Sequence, residues 1–320
     1  MLSRAIGETG VALTELGFGA AGLGNLYTEV SEDDAHAAVA SAWSRGIRYF
    51  DTAPHYGLGL SERRLGSALA RYPREEYVVS TKVGRVLDRN DSPTGTDMQQ
   101  GFAVPDSWRR RLDFSRDGVL RSLESSLDRL GLDYVDIVYV HDPELGERDE
   151  VDKAVEAVIE LRSQGVIAAA GVGSGDTDQV ERLLLESDLD LAMFAGRYTL
   201  LEQGGERALS AAQATGKSLV IAGAFNSGIL ANDRPPQDAT HNYRQAGTGS
   251  LARANALADV CEEFSTTLPA AAIAFPLERS VVASVALGMR NGNEVERNLE
   301  LHNRGVPEKL WAAMRERGLL

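Results

Sequence analysis

The stretch YVDIVYVHDPELGERDEVDKAVEAVIELRSQGVIAAAGVG, residues 134–173, decides the fold. YVDIVYVH (134–141) is a short run rich in Val, Ile and Tyr, the composition of a strand, and it ends on a histidine. Residues 152–164 read as a helix, and VIAAAGVG (166–173) reads as a second strand. A strand, a helix and a strand in succession form a crossover unit. Such units are right-handed and build a parallel sheet.

The same alternation extends in both directions. Upstream, LGFGA (16–20) is a strand, and Ser31 caps a helix running to about Arg45. Ala35, Ala38, Val39, Ala42 and Trp43 fall there at helical spacing, Asp34 completes an acidic capping box, and Gly46 ends the helix. IRYFD (47–51) and YVVSTK (77–82) are strands flanking a helix that Ser61 is expected to cap. Ser115 or Asp117 opens a helix with Val119, Leu120, Leu123, Leu127 and Leu130 in one apolar stripe, and Gly131 closes it. Downstream come a helix over 178–186, LAMFA (191–195), a helix over 204–215 and SLVIAGA (218–224). Helices near 250–264 and 269–275 precede the last strand, VVASVALG (281–288). Glu294 to Leu301 is helical, and Pro307 starts a final helix bearing Leu310, Trp311, Met314 and Leu319.

Eight strand–helix units point to an α/β fold, a closed (β/α)8 TIM barrel spanning residues 1–320 as one domain. The alternative is a doubly wound open sheet. GFGAAGLGN (17–25) has glycines, but no clean helix follows it and no acidic residue plays the ribose-binding part after the second strand. AIGETGVALTEL (5–16) reads as an N-terminal β-hairpin, with GETG as its turn, that plugs the barrel's N-terminal end. Two connections, 85–114 and 226–249, are too long for plain barrel loops. Both follow strands, so both lie on the C-terminal face, where barrel enzymes carry their sites; the plain alternative is a pair of tolerated surface insertions.

Composition limits the partners. Lys and Arg number 33 against 47 Asp and Glu, a formal charge of −14, which argues against nucleic acid. The one short basic run, Arg109–Arg111, is expected to be a solvated patch. No apolar run long enough to span a membrane occurs, and the first residues lack a secretory apolar core. The lone Cys261 excludes an intramolecular disulfide framework and a multi-cysteine metal site. A soluble, cytoplasmic protein is the expectation.

Asp51, Lys82 and His141 each end a predicted strand in consecutive units. Neighbouring parallel strands lie about 4.8 Å apart, so the three groups must crowd at one rim, with Tyr56 on the loop that leaves it. An ion pair alone explains Asp51 and Lys82 but does not call for His141 and Tyr56. A phenol, with a pKa near 10, is a poor acid or base at neutrality; a neighbouring ammonium is expected to lower it. Tyr56 then exchanges a proton with a carbonyl or alcohol oxygen that His141 orients. None of the four moves electrons, so redox chemistry needs a cofactor to carry the hydride.

LGFG (16–19), YFDTAPHYGLGLSERRLG (49–66), STKVGR (80–85), LDYVDIVYVHDPE (132–144) and GMRNGNEVERN (288–298) resemble the aldo-keto reductase superfamily in order and spacing. The HDPE form, AGRYTLLEQ (195–203), FNSGIL (225–230) and the ending LWAAMRERGLL (310–320) are most similar to its aldose 1-dehydrogenase branch. That branch includes L-fucose (D-threo-aldose), L-galactose and pyridoxal 4-dehydrogenases. The resemblance implies NAD(P)-dependent hydride transfer without a metal, with Asp51, Tyr56, Lys82 and His141 as the catalytic set and Tyr56 as general acid/base. It implies cofactor contacts from Gly19, Asp51, Ser174, Phe225, Ser227, Gly228 and Leu230, and from Gly288, Met289 and Arg290 along the adenosine phosphate. Glu294 would lie near the adenine ribose and Asn298 on the adenine. A plain helix start is the alternative for 288–298.

Three departures bear on the cofactor. GVGSG (171–175) leaves only Ser174 where the superfamily's reductases place Ser-Asn, and Phe225 is the nearest ring for stacking on nicotinamide. Glu294, standing where NADP-selective members often carry a basic residue, favours NAD, while Arg290 argues the other way. Tyr27, His55, Trp108 and Phe102 are candidate walls of the substrate pocket, beside His141. Asp106, Arg109 and Asn226 favour a sugar over a simple aldehyde or pyridoxal; oligomeric state is not legible. A non-catalytic cofactor-binding subunit on the same fold is the remote alternative.

Overall fold

The computed structural model describes residues 1–242 and 244–320; Tyr243, within the second long connection, lies outside the described residues. Eight parallel strands close into a barrel: β1 (Leu16–Gly19), β2 (Tyr49–Asp51), β3 (Val78–Val83), β4 (Ile137–His141), β5 (Ala169–Ser174), β6 (Leu191–Ala195), β7 (Ser218–Ala222) and β8 (Val282–Gly288). Each pairs with its chain neighbour, and β8 pairs with β1 to complete the ring. This is the (β/α)8 barrel read from the alternation.

The helices follow the apolar periodicity. α1 (Glu32–Ser44) starts at Ser31, whose Oγ accepts from the Asp34 amide. The Asp34 carboxylate accepts from the Ser31 hydroxyl at 2.7 Å. α2 (Leu60–Leu69) departs from expectation. Its cap is Gly59 at φ 80°, and Ser61 is buried inside the helix, hydrogen-bonded to Thr52 Oγ1 and the Ala20 carbonyl. α3 (Arg116–Leu130) opens at Ser115, which settles the choice between Ser115 and Asp117. α4 (Arg148–Ser163), α5 (Thr177–Glu186), α6 (Glu206–Thr215), α7 (Thr248–Glu263), α8 (Leu268–Leu277), α9 (Gly292–Arg304) and α10 (Glu308–Glu316) follow.

The N-terminal strands Ser3–Ala5 and Ala12–Thr14 pair antiparallel. Ile6, Val11 and Leu13 from this hairpin are buried with Tyr49, Ile137, Ala169 and Leu191, the opening residues of four barrel strands or their neighbours. The hairpin therefore fills the N-terminal end of the barrel, as expected. The two long connections are more ordered than their composition suggests. Residues Arg85–Arg89 pair with Trp108–Leu112 as an antiparallel hairpin. The second connection holds a 3-10 turn, Asn226–Gly228, and a small hairpin of Thr240–His241 with Arg244–Gln245. Among the described residues, no helix is long and apolar enough to cross a membrane.

Candidate active site

β2 ends on Asp51, β4 ends on His141, and Lys82 is the penultimate residue of β3. Lys82 Nζ donates to both Asp51 carboxylate oxygens, at 2.8 and 2.6 Å, and to the Thr52 carbonyl at 2.9 Å. Both residues are buried. The same Nζ lies 4.8 Å from the centre of the Tyr56 ring. The His141 ring meets the Tyr56 ring edge-on at 6.1 Å and the His55 ring at 5.8 Å. The three residues read from strand ends and the loop residue Tyr56 thus stand together at the C-terminal rim.

The loop carrying Tyr56 is held by close backbone approach. The 3-10 turn Ala20–Gly24 lies against it, and a Cβ on Gly24 would stand 2.7 Å from the Tyr56 carbonyl carbon. Gly57, at φ +61°, would bring a Cβ within 2.2 Å of the Gly24 oxygen. The last glycine of GFGAAGLG, Gly24, therefore serves this contact.

The electrostatics correct one expectation. Burial pushes the Tyr56 phenol up to about 12; the Lys82 charge pulls it down but does not offset the burial. Burial also pulls the Lys82 ammonium down, but Asp51 and Tyr56 together raise it above its ordinary value. Lys82 therefore stays charged, and in the cofactor-free protein Tyr56 holds its proton. Burial, with the charges of Lys82 and Arg85, keeps His141 well below the usual imidazole range. Burial, then Arg110 and Arg85, lowers His55 to about 2. Both imidazoles are neutral, and neither Nδ1 meets a hydrogen-bond partner among the described residues.

The first long connection reaches this centre. Phe102 is buried, with its ring edge-on to His55 at 5.3 Å and tilted to Tyr56 at 6.2 Å. Arg110 is a half-buried link, which overturns the solvated patch expected for it. It donates to the Asp97 carboxylate at 2.7 and 2.5 Å and to the His55 carbonyl at 2.7 Å. Arg111 does lie at the surface, paired with Asp88 and Asp113. Trp108 sits at the far end of the hairpin opposite Arg89, is 41% exposed and makes no ring contact with the four residues. Tyr27 is also exposed, docked through its backbone amide on the Gly101 carbonyl. The Asp106 side chain accepts from the Thr94 and Gly95 amides of its own loop, and the Asn226 side chain accepts from the Thr199 hydroxyl and donates to the Gly196 carbonyl in the connection after β6.

The cofactor candidates divide. Gly288 ends β8, is exposed, and has open space where a Cβ would stand. Gly19 adjoins both Gly288 and Asp51 in register. Bare backbone at these two strand ends, followed at once by the start of α9, suits a phosphate-bearing dinucleotide. Arg290 and Glu294 flank that start. Arg290 donates its backbone amide and its guanidinium to Glu294, the latter at 3.0 and 2.7 Å. Asn298 is buried on the same helix. The side chains of Leu230 and Met289 lie wholly in the core, so these two residues have only backbone to offer. Ser174 Oγ donates to Glu144 Oε2 at 2.7 Å and accepts from the Asp176 amide at 2.8 Å. Phe225 is half-buried against the core beside Ser227 and Gly228, which stand at φ 62° and 108°.

Sequence reasoning passed over Ser80, Tyr49, Tyr139, Arg85 and Arg110. Ser80 donates to Asp51 at 2.7 Å, and Arg85 pairs with Asp142, the left-handed residue after His141. For the first three, the signal was strand periodicity: each stands two residues before Asp51, Lys82 or His141 and so shares its face.

Residues 15–317 match the family model for the aldo/keto reductase family. The chain is 43% identical to D-threo-aldose 1-dehydrogenase of a Pseudomonas species, covering 99% of this chain and 97% of that protein. It is 38% identical to pyridoxal 4-dehydrogenase of Microbacterium luteolum, over 99% and 97%. The structure is similar to the holo form of an aldo-keto reductase from Bacillus halodurans, with a TM-score of 0.77 and 26% identity over 100% and 96% of the chains. A closed eight-stranded barrel, a charged rim at its strand ends and this match over nearly its whole length make the chain a member of the aldo/keto reductase family, an oxidoreductase.

Proposed function

We propose that the protein is an NAD(P)-dependent aldose 1-dehydrogenase acting on a sugar of the L-fucose, D-threo-aldose or L-galactose type and yielding its lactone. The carrying observation is the convergence of Tyr56, Lys82, Asp51 and His141 at one rim, in a chain 43% identical to a D-threo-aldose 1-dehydrogenase. When bound, the nicotinamide supplies the two-electron hydride acceptor that no side chain here provides. The anomeric hydroxyl hydrogen-bonds to Tyr56 and to neutral His141. Tyr56 takes the hydroxyl proton as the C1–H bond breaks, and Lys82, fixed by Asp51, stabilises the phenolate from which it acts. In the reverse direction the protonated phenol donates.

The glycine ends of β1 and β8 and the start of α9 support the dinucleotide site. Glu294 supports NAD over NADP. It neutralises Arg290 and sets a carboxylate where a 2′-phosphate would be repelled and a free 2′-hydroxyl accepted. A second reading, oxidation of a pyridoxal-like alcohol or reduction of a carbonyl, draws on the rings of His55 and Phe102 beside Tyr56, which suit a flat apolar substrate.

The test follows nicotinamide absorbance with NAD and with NADP against L-fucose, L-galactose, D-arabinose, pyridoxal and simple aldehydes. Aldose oxidation with NAD is expected. Turnover of simple aldehydes alone overturns the dehydrogenase reading. Tyr56→Phe is expected to remove turnover by at least about a hundredfold while dinucleotide binding, read by fluorescence, persists.

A further inference from the structure

Behind Asp51, away from the rim, lies a line of hydroxyls. Ser80 Oγ donates to Asp51 Oδ1 at 2.7 Å. Ser80 Oγ is 3.1 Å from Tyr49 Oη, which is 3.1 Å from Tyr139 Oη. All four residues are buried, and the three hydroxyl groups come from three adjacent strands, β2, β3 and β4. Their proton positions are fixed by donor arithmetic. An ionised carboxylate only accepts, so the Ser80 proton must point at Asp51. The Ser80 oxygen then takes the Tyr49 proton, and the Tyr49 oxygen takes the Tyr139 proton. Three O–H dipoles line up head to tail, every positive end toward the Asp51 charge, and each polarises the next.

The barrel makes room for this line. A Cβ on Gly17 would stand 2.6 Å from Tyr49 Cδ1, and one on Gly171 would stand 2.6 Å from Tyr139 Cδ1. Two strands thus give up side chains so that two phenols fit among the apolar side chains of the barrel interior. Phenylalanine fills the same volume without the cost of burying a hydroxyl. The phenols are neutral: burial raises both well above their usual range.

We propose that Tyr139, Tyr49 and Ser80 are positioning residues that act through Asp51, holding its carboxylate charged and oriented so that Lys82 stays beside the Tyr56 phenol. This rests on the catalytic reading of Asp51, Lys82 and Tyr56 given above. The groups that face Asp51 or feel its charge are Lys82 and Ser80 on β3, Tyr49 on its own strand, Tyr139 on β4, and Tyr56 on the loop beyond β2. Burial pushes the Asp51 carboxyl up; the Lys82 and Ser80 contacts pull it down. Removing Ser80's proton therefore moves Asp51 upward, and Asp51 becomes neutral at a pH where the intact protein keeps it charged.

The experiment compares Ser80→Ala, Tyr49→Phe and Tyr139→Phe with the parent, and Asp51→Asn serves to assign the Asp51 signal. The Asp51 carboxyl is titrated by carbon-13 NMR in the cofactor-free protein, and in the same variants the oxidation rate is followed to low pH, where loss of the Asp51 charge adds a second, steeper fall to the gradual one set by the Tyr56 phenolate. Ser80→Ala is expected to move both midpoints upward by about one pH unit. Tyr49→Phe should shift them less, Tyr139→Phe least, and Tyr49→Phe with Tyr139→Phe no more than Tyr49→Phe alone. Unmoved midpoints in folded Ser80→Ala overturn the proposal, as does an equal shift in all three variants. If Tyr56→Phe stays active, the catalytic reading fails instead, and the NMR titration still reports on the hydroxyl line.

Discussion

Tyr56 and the two imidazoles beside it show what burial does to single groups. A phenol near 12 is a ready acid for carbonyl reduction and a scarce base for alcohol oxidation. The oxidation rate is therefore expected to climb with pH through the alkaline range, since the phenolate fraction grows about tenfold per unit below the pKa. Lys82→Met, which removes the charge that pulls the phenol down, should move that climb to higher pH; an unmoved profile in a folded variant would show that Lys82 does not act on the phenol. His55 and His141 set a second pH response. Their folded values lie below the unfolded one, near 6.5, so the unfolded chain binds more protons in that window. Their stabilising share is complete above about pH 6.5 and is lost as pH falls, with a slope of at most about 1.4 kcal/mol per unit for each ring. Urea midpoints at pH 7.5 and 5.5 should fall further apart in the parent than in His55→Gln.

At the scale of elements, packing leaves little slack where two helices meet. A Cβ on Gly66 of α2 would stand 1.9 Å from the Leu130 carbonyl oxygen of α3, and backbone cannot yield as a side chain can. Gly66→Ala is expected to cost about 3 kcal/mol in urea unfolding, whereas Gly95→Ala, with nothing within 4 Å, should cost little. The barrel strands and most helix starts were legible because strand runs, apolar stripes and serine caps all announce themselves: Ser31 and Ser115 cap as read. Ser61 misled because Gly59 reaches a left-handed backbone and starts the helix two residues earlier. The hairpin Arg85–Arg89 with Trp108–Leu112 was not legible because ion pairs such as Arg110–Asp97 and Arg111–Asp88 help hold it, where an alternating apolar face would have marked it. Strand ends betrayed Asp51, Lys82 and His141. The upward displacement of Tyr56 was hidden because it depends on the depth of burial, which one sequence does not display.

On the scale of the whole molecule, the N-terminal hairpin matters as much as the rim. Ile6 is completely buried among the first residues of the strands, while Leu2, four residues earlier, is 72% exposed. Ile6→Asp places a carboxylate in that apolar seat and is expected to cost about 4 kcal/mol or more; Leu2→Asp should leave the urea midpoint unchanged. Equal midpoints for the two would show that the hairpin is an ornament on a self-sufficient barrel.

Because that hairpin stoppers the N-terminal end with apolar side chains, that end is closed to charge, and the ionisable cluster of the barrel gathers at the opposite rim.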